Sequence, residues 1–295
     1  MSIPAVDLEI SGICNLRCPV CWGTPRGMIQ KYSLKEWFNL LVILKRNAGL
    51  KSIVLCGGEP TLIPKIDKFV KHVKTKLNLK IYFETNCISL RPLLPKIAPY
   101  IDNLSIPLEG SNPEINAIRR GPLAFSKTIE VLDFMNEAYP NIHIKVGTCV
   151  FKQNAFDVPN IGWVLLRHGF NWRYPHKGVW KLYQITRFGA GKDDPEWSNM
   201  KITKDEFQEV VNKALALYKN KISITAIASH EMGGYCIIIR PNGEVVSNAH
   251  TQYGEEYSVF PNIFSDPKQG IKKIIQYQSE VRVKHRLTKT YLLKI

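Results

Sequence analysis

Three cysteines within eight residues, Cys14-Asn15-Leu16-Arg17-Cys18-Pro19-Val20-Cys21, constrain this chain more than any other feature. Such a spacing suits a metal better than a disulfide framework in a chain of 295 residues, and the seven cysteines are an odd number. Three thiolates can hold three irons of a cubane and leave the fourth iron with an open position. Zinc is the competing reading, but structural zinc wants four protein ligands, and no His or fourth Cys lies nearby in sequence.

The flanking sequence alternates between two periodicities. The segment AVDLEI reads as a strand running directly into the cysteine loop, and further strands are expected at Ser52-Cys56, Lys80-Glu84, Asn103-Leu108, His143-Val150 and Trp180-Ile185. Helices are expected between them. The first opens with the capping box Ser33-Leu34-Lys35-Glu36 before an apolar stripe at Trp37, Leu40, Leu41 and Leu44. Others are expected at Ile63-Leu77, Leu93-Ile97, Ser126-Ala138 and Val158-Gly169, with a short helix ending at Arg119-Arg120-Gly121. Six strands alternating with helices imply α/β architecture, a parallel sheet wound by right-handed crossovers into a complete or partial (β/α) barrel. Catalytic residues then belong at strand C-termini.

Beyond residue 190 the pattern changes. Gly189-Ala190-Gly191-Lys192-Asp193-Asp194-Pro195 reads as a loop, a second capping box at Thr203 and Glu206 starts a helix ending near Tyr218, and Pro241-Asn242-Gly243 turns a hairpin of Tyr235-Arg240 and Glu244-Asn248. Residues 1-190 are thus expected to form a core barrel and residues 191-295 a small α+β extension over its open side.

No apolar run is long enough to span a bilayer, and the N-terminus lacks a basic region followed by an apolar stretch, which points to a cytoplasmic chain with no membrane partner. The formal charge of +15 favours an anionic partner, or serves solubility alone.

The cysteine loop resembles that of the radical S-adenosylmethionine (SAM) superfamily. A second motif agrees: Cys56-Gly57-Gly58-Glu59-Pro60, about 40 residues further on at the end of a strand, is similar to the superfamily's GGEP segment. The resemblance implies one [4Fe-4S] cluster on Cys14, Cys18 and Cys21, with SAM bound to the open iron and cleaved reductively to a 5'-deoxyadenosyl radical. It implies a partial (β/α)6-type barrel and an electron donor such as flavodoxin or ferredoxin. Gly57, Gly58, Glu59 and Pro60 are expected at the methionine moiety, the Glu helping to receive its ammonium. Thr85-Asn86 resembles the family's TNG segment with Cys87 in place of Gly, and Ser105-Ile106-Pro107-Leu108-Glu109-Gly110 resembles its SLDG segment. In relatives an Arg near Arg119 or Arg120 pairs with the SAM carboxylate. The family's aromatic residue before the third Cys is Val20 here, with Trp22 just after that Cys.

Cys56, Cys87 and Cys149 lie in or beside apolar strands and are read as small hydrophobes. On strands five and six, Thr148 and Val150, then Lys181, Tyr183 and Ile185 or Trp180, Leu182 and Gln184, share faces, without a sign of which face is inward. Asn154, Gln184 and Arg187 are polar candidates for substrate contact; Tyr183, Tyr235 and Cys236 could donate a hydrogen atom. The C-terminal hairpin resembles the start of the SPASM/twitch extension but retains only Cys236, with Ser247 and Asn248 where a cluster ligand is expected, so a cluster-free cap is predicted. Its architecture is loosely viperin-like. The substrate is expected to be a small anion (nucleotide, nucleoside or phosphosugar), with a precursor peptide as the alternative. The stretch from Val281 to Lys289 is basic with little aromatic interleaving, so nucleic acid is a weak third option, and a non-catalytic iron-sulfur sensor a fourth.

Overall fold

The computed structural model describes residues 3–171, 178–232, 236–248 and 256–287. Tyr235 lies outside the described residues, as do the side chains from 281 onward. Among them run ten strands: β1 (Ala5–Glu9), β2 (Ser52–Cys56), β3 (Lys80–Glu84), β4 (Asn103–Pro107), β5 (His143–Val150), β6 (Val179–Gln184), β7 (Ile224–Ile227), β8 (Ile238–Ile239), β9 (Val245–Asn248) and β10 (Glu256–Phe260). They form one sheet in the order β10-β9-β8-β1-β2-β3-β4-β5-β6-β7. From β8 through β7 every neighbouring pair is parallel, while β9 and β10 pair antiparallel. The helices are α1 (Leu34–Ala48), α2 (Ile66–Leu77), α3 (Leu94–Ile97), α4 (Pro113–Arg120), α5 (Ala124–Ala138), α6 (Val158–Arg167), α7 (Trp197–Met200), α8 (Lys204–Tyr218) and α9 (Pro267–Leu287). None is long and apolar enough, among the described residues, to cross a membrane.

The local causes are those of ordinary α/β proteins. At the start of α1 the Ser33 hydroxyl accepts the Glu36 amide and the Glu36 carboxylate accepts the Ser33 amide at 2.7 Å, so two orphan donors are satisfied. The stripe Trp37, Leu40, Leu41 and Leu44 is then buried in the hydrophobic core. The turn after β2 differs from expectation: Pro60–Leu62 forms a single 3-10 turn, and α2 starts at Ile66 rather than Ile63. Glu59 caps that turn by accepting the Thr61 amide.

Alternation along the strands settles which face is inward. Ile53, Leu55, Ile81, Phe83, Leu104, Ile144, Val146, Trp180 and Leu182 are buried in the hydrophobic core. Asp7, Val54, Cys56, Glu84, Ser105, Pro107, Lys145, Gly147, Cys149, Lys181 and Tyr183 occupy the complementary positions and line a cavity. Thr148 belongs to the outer face, where its hydroxyl accepts the Trp180 indole N–H at 2.9 Å. The inner face of this sheet is therefore polar, the inverse of a closed barrel's packed interior.

The segment after residue 190 supplies both edges of the same sheet, β7 beside β6 and β8 beside β1. Gln184 anchors one side: its amide donates to the Ile202 carbonyl, and its oxygen accepts the Ser229 amide and hydroxyl. On the other side buried Arg240 reaches Glu9, Glu244 and Glu256.

Candidate active site

The C-terminal ends of β1 to β6 surround a cavity of about 390 Å³ whose lining includes Cys14, Cys18 and Cys21. All three thiols are free. Amides of Leu16 and Gly23 donate to the sulfurs of Cys14 and Cys21, each at 3.4 Å, and Asn86 Nδ2 donates to Cys14 Sγ at 3.6 Å. Donors aimed at sulfur favour the thiolate a metal requires. Burial acts the other way and raises the thiol pKa of Cys14 and Cys21, with Arg119 and Arg120 partly offsetting it at Cys21. A bound iron deprotonates such thiols outright. Three free thiols on one loop, all lining one cavity, fit a cubane, whose three ligands each take a separate iron.

What shapes the loop is close backbone packing. The Gly58 amide donates to the Ser11 carbonyl at 2.9 Å and the Glu59 amide to the Ile13 carbonyl at 2.8 Å, so the GGEP turn is stitched to the cysteine loop. A Cβ on Gly58 would lie 2.2 Å from the Ile13 oxygen, and one on Gly23 would lie 2.4 Å from the Gly57 oxygen. Gly57 also needs its φ of 112°, a value that side chains oppose. These glycines therefore admit one loop to another, besides any approach to a ligand.

Glu59 is 1% exposed and held through both oxygens. Oε1 accepts the Thr61 amide and hydroxyl and the Thr85 hydroxyl, and Oε2 accepts the Asn86 amide at 2.7 Å. These four bonds tie the turn after β2 to the end of β3; Oε2 takes only one of them, and Glu59 lines the cavity. Asn86 passes the restraint on, donating to Asn15 Oδ1 at 2.7 Å as well as to Cys14. Cys87, standing in for the family's Gly, holds a positive φ of 70° and is fully buried, so the backbone need for Gly persists without the residue.

Arg119 and Arg120 are gathered on a protein carboxylate at the cavity wall. Both donate to Glu109 Oε1, from 2.8 Å in each ion pair, and Arg119 also donates to the Val20 carbonyl at 3.0 Å. Glu109 is fully buried and accepts the Cys149 amide through its other oxygen at 2.6 Å. A buried carboxylate shared by two guanidinium groups is a fixed bracket, and it holds the cysteine loop from the side. Arg119, Arg120 and Glu109 all line the cavity. Ser105 lines it too, its hydroxyl donating to Asn103 Oδ1.

Three residues suggested for substrate contact serve the scaffold instead. Asn154 is fully buried and donates to the carbonyls of Glu109 and Cys149; Gln184 lines the cavity but is spent on Ile202 and Ser229; exposed Arg187 donates to the Lys192 carbonyl. Tyr183 and Cys236 do line the cavity.

Sequence reasoning missed the clamp after β6. The Ala190 amide donates to the Gly23 carbonyl at 2.8 Å, the Gly191 amide to the Cys21 carbonyl at 2.6 Å, and Asp194 Oδ2 accepts the Val20 amide at 3.0 Å. Trp22 stacks on Phe188 with ring centroids 4.9 Å apart. The signal was the Gly189-Ala190-Gly191 spacing, since a Cβ at Gly189 would lie 2.2 Å from the Gly23 oxygen.

Deeper in the cavity lies a charged floor. Lys145 Nζ donates to Glu84 Oε1 at 2.5 Å, and Lys181 Nζ sits 5.0 Å from the Tyr183 ring centroid. Burial would lower the Lys145 pKa, yet Glu84 and Tyr183 beside it raise it, so it stays cationic. Burial, reinforced by Glu84, pushes the Asp7 carboxyl from 3.8 to about 7. A carboxyl whose folded pKa exceeds its unfolded value stabilises the fold most below the unfolded pKa, and that contribution is lost as pH rises through the folded one. Asp7→Asn should therefore raise the melting temperature more at pH 8 than at pH 5. An equal shift at both pH values, read by thermal denaturation, would rule this out.

A fold of parallel strands whose C-terminal ends carry a three-thiol loop braced by a GGEP turn defines an iron-sulfur enzyme of the SAM-cleaving class. The radical SAM superfamily model matches residues 8–161, and the chain belongs to that superfamily. Its cofactors are a [4Fe-4S] cluster and SAM. The chain is 25% identical over 264 residues to an S-adenosylmethionine-dependent nucleotide dehydratase of Flammeovirga pacifica, covering 85% of this chain and 84% of that protein. It is 26% identical over 258 residues to another of Lacinutrix mariniflava, covering 84% of this chain and about half (51%) of that one. Among solved structures, Streptococcus suis SuiB bound to S-adenosylmethionine superposes with a TM-score of 0.70 at 15% identity, over 95% of this chain and 68% of that one.

Proposed function

We propose that this radical SAM enzyme acts on a small anionic substrate of the nucleotide class. The observation that carries the reading is the cavity floor, where Lys145 and Lys181 stand below the cysteine loop in a space of about 390 Å³. That space has to receive SAM and the reacting part of the substrate together, which suits a small molecule better than a folded segment. Similarity to nucleotide dehydratases along 85% of the chain supports the same class.

When bound, the cluster and SAM supply the 5'-deoxyadenosyl radical that removes a hydrogen atom from substrate. The chain's own residues do the rest. Cys14, Cys18 and Cys21 would hold the metal. The backbone of Gly57 and Gly58 would receive the methionine end of SAM, and Arg119 and Arg120, gathered on Glu109, would present cations toward its carboxylate. Lys181, beside the Lys145–Glu84 pair, would attract substrate phosphate, and the clamp from Gly189 to Asp194 keeps the loop in place.

The test is a panel of deuterated nucleoside mono-, di- and triphosphates given to the reconstituted enzyme with SAM and dithionite. A nucleotide should accelerate release of 5'-deoxyadenosine and pass deuterium into it, and Lys181→Ala should raise the KM for that nucleotide. Indifference to every nucleotide, with stimulation by a precursor peptide, would replace this reading by the peptide-modifying one.

A further inference from the structure

The cavity floor carries two acids as well as two bases. Below the cysteine loop the charged side chains that line the cavity, among the described residues, are Asp7, Glu84, Lys145 and Lys181. With Asp7 ionised their charges cancel, two against two, whereas with Asp7 protonated one positive charge is left. An anion is drawn to the second state. Glu84 is committed to Lys145 at 2.5 Å, so the acid that can change the balance is Asp7.

The sheet places Asp7 where a proton is readily kept. It stands on β1 between Val54 of β2 and Ile238 of β8, two apolar residues in register with it. Burial and then Glu84 on β3 push its carboxyl up to about 7, against the Cys236 thiol before β8, which donates a hydrogen bond to it, and against Lys145 on β5 and Lys181 on β6. Cys56 on β2 lines the same cavity, and burial keeps its thiol protonated. Tyr183 on β6 stands beside the two lysines, and burial raises its phenol as well. Glu9, two residues along β1, is likewise raised by burial to about 7, but it is 1% exposed and turned to Arg240 at 3.8 Å.

We propose that Asp7 positions the substrate by donating a hydrogen bond from its protonated carboxyl to a substrate phosphate, so that nucleotide binding takes up one proton. The inference rests on the nucleotide reading above, which supplies the phosphate. An ionised Asp7 repels the phosphate that Lys181 attracts, whereas a protonated one removes that repulsion and adds a donor. The proton comes from solvent, and no covalent bond changes. By linkage, affinity is constant while the carboxyl is already protonated and falls as pH rises through its folded pKa, by up to about tenfold per pH unit.

Calorimetry on the anaerobically reconstituted protein with SAM would measure binding of the mono-, di- and triphosphates of adenosine, cytidine, guanosine and uridine. A terminal phosphate has finished its own ionisation by about pH 7.5, so the window from there to about pH 8.5 reports on the protein. A nucleotide that binds the parent should bind about tenfold more weakly at the higher pH, with uptake of about one proton read from two buffers of different ionisation enthalpy. In Asp7→Asn, whose amide donates at any pH, affinity should change less than about twofold and no proton should be taken up. Asp7→Ser keeps a donor and loses the acid, and it gives the same reading should the amide variant fail to fold. Equal affinity of the parent at both pH values would overturn the role of Asp7 while leaving the nucleotide class intact. So would the parent's pH dependence persisting in Asp7→Asn, which would assign the proton to another group such as Glu9. Absence of binding by every nucleotide, in parent and variant alike, would overturn the nucleotide reading and this role with it.

Discussion

Cys18→Ala should leave a folded chain that retains almost no iron after anaerobic reconstitution, against about four irons per chain for the parent. The argument is one of donor count. The cysteine loop offers three thiolates, and two cannot hold a cubane against loss to solvent or chelator. Cys18 is buried, and its main chain is held independently of the sulfur, because its carbonyl accepts Arg26 Nη2 at 3.0 Å. The neighbours on either side are also fixed, Val20 by Asp194 and Arg119 and Cys21 by Gly191. Loss of one sulfur therefore removes a ligand without collapsing the loop, and circular dichroism should be unchanged. Cys236→Ala is the matched control. That thiol also lines the cavity, but burial and the adjacent Asp7 carboxylate hold it protonated. Iron in this variant should equal the parent's. A parent binding about eight irons, or loss of iron from Cys236→Ala, would refute the single-cluster assignment.

The second large effect is expected at Gly58. In Gly58→Ala the new methyl would lie 2.2 Å from the Ile13 carbonyl oxygen and 2.7 Å from the Gly12 carbonyl carbon. Both are backbone atoms and cannot swing aside. Relief requires the GGEP turn and the cysteine loop to part, which breaks the two hydrogen bonds between them. Overpacking and the lost bonds together should cost about 3 kcal/mol and lower the melting temperature accordingly. Cluster retention should fall with it, because the loop carrying Cys14 is pinned by that contact. Gly27→Ala tests whether this is a packing effect. Gly27 belongs to the same loop and has a φ of 85°, but nothing lies within 4 Å of its added Cβ. It should cost only about 1 kcal/mol of backbone strain and keep its iron. Equal losses in the two variants would show that the loop's glycines matter only for conformation.

The six core strands were legible because each is a short apolar run between turn signals, and both capping boxes form as their residues require. The cluster ligands were legible because three thiols on one loop admit few other uses. The inward face was not, since alternation separates two sets of side chains without saying which meets helices. The polar set, Lys145, Lys181, Asp7 and Glu84, proved to be inside because an open cavity replaces the usual packed barrel interior. The strands β7 and β10 escaped notice because ITAI and EYSVF are short runs at the two edges of the sheet, each paired on one side only, β7 with β6 and β10 with β9. Separation in sequence hides the pairings of Glu59 and Glu109. A carboxylate expected to meet a ligand can be held by partners 26 or 40 positions away, as Glu59 is by Thr85 and Glu109 by Cys149. The Gly189 to Asp194 clamp lay in plain sight as a glycine-rich loop. Its role depends on the segment after β6 reaching the loop after β1 where the cysteines sit.

The account stands or falls on one reaction. Anaerobically reconstituted protein, given SAM and dithionite, should form 5'-deoxyadenosine, and Cys18→Ala should form none. A parent protein carrying about four irons per chain that releases no 5'-deoxyadenosine, with or without added nucleotides, would contradict it.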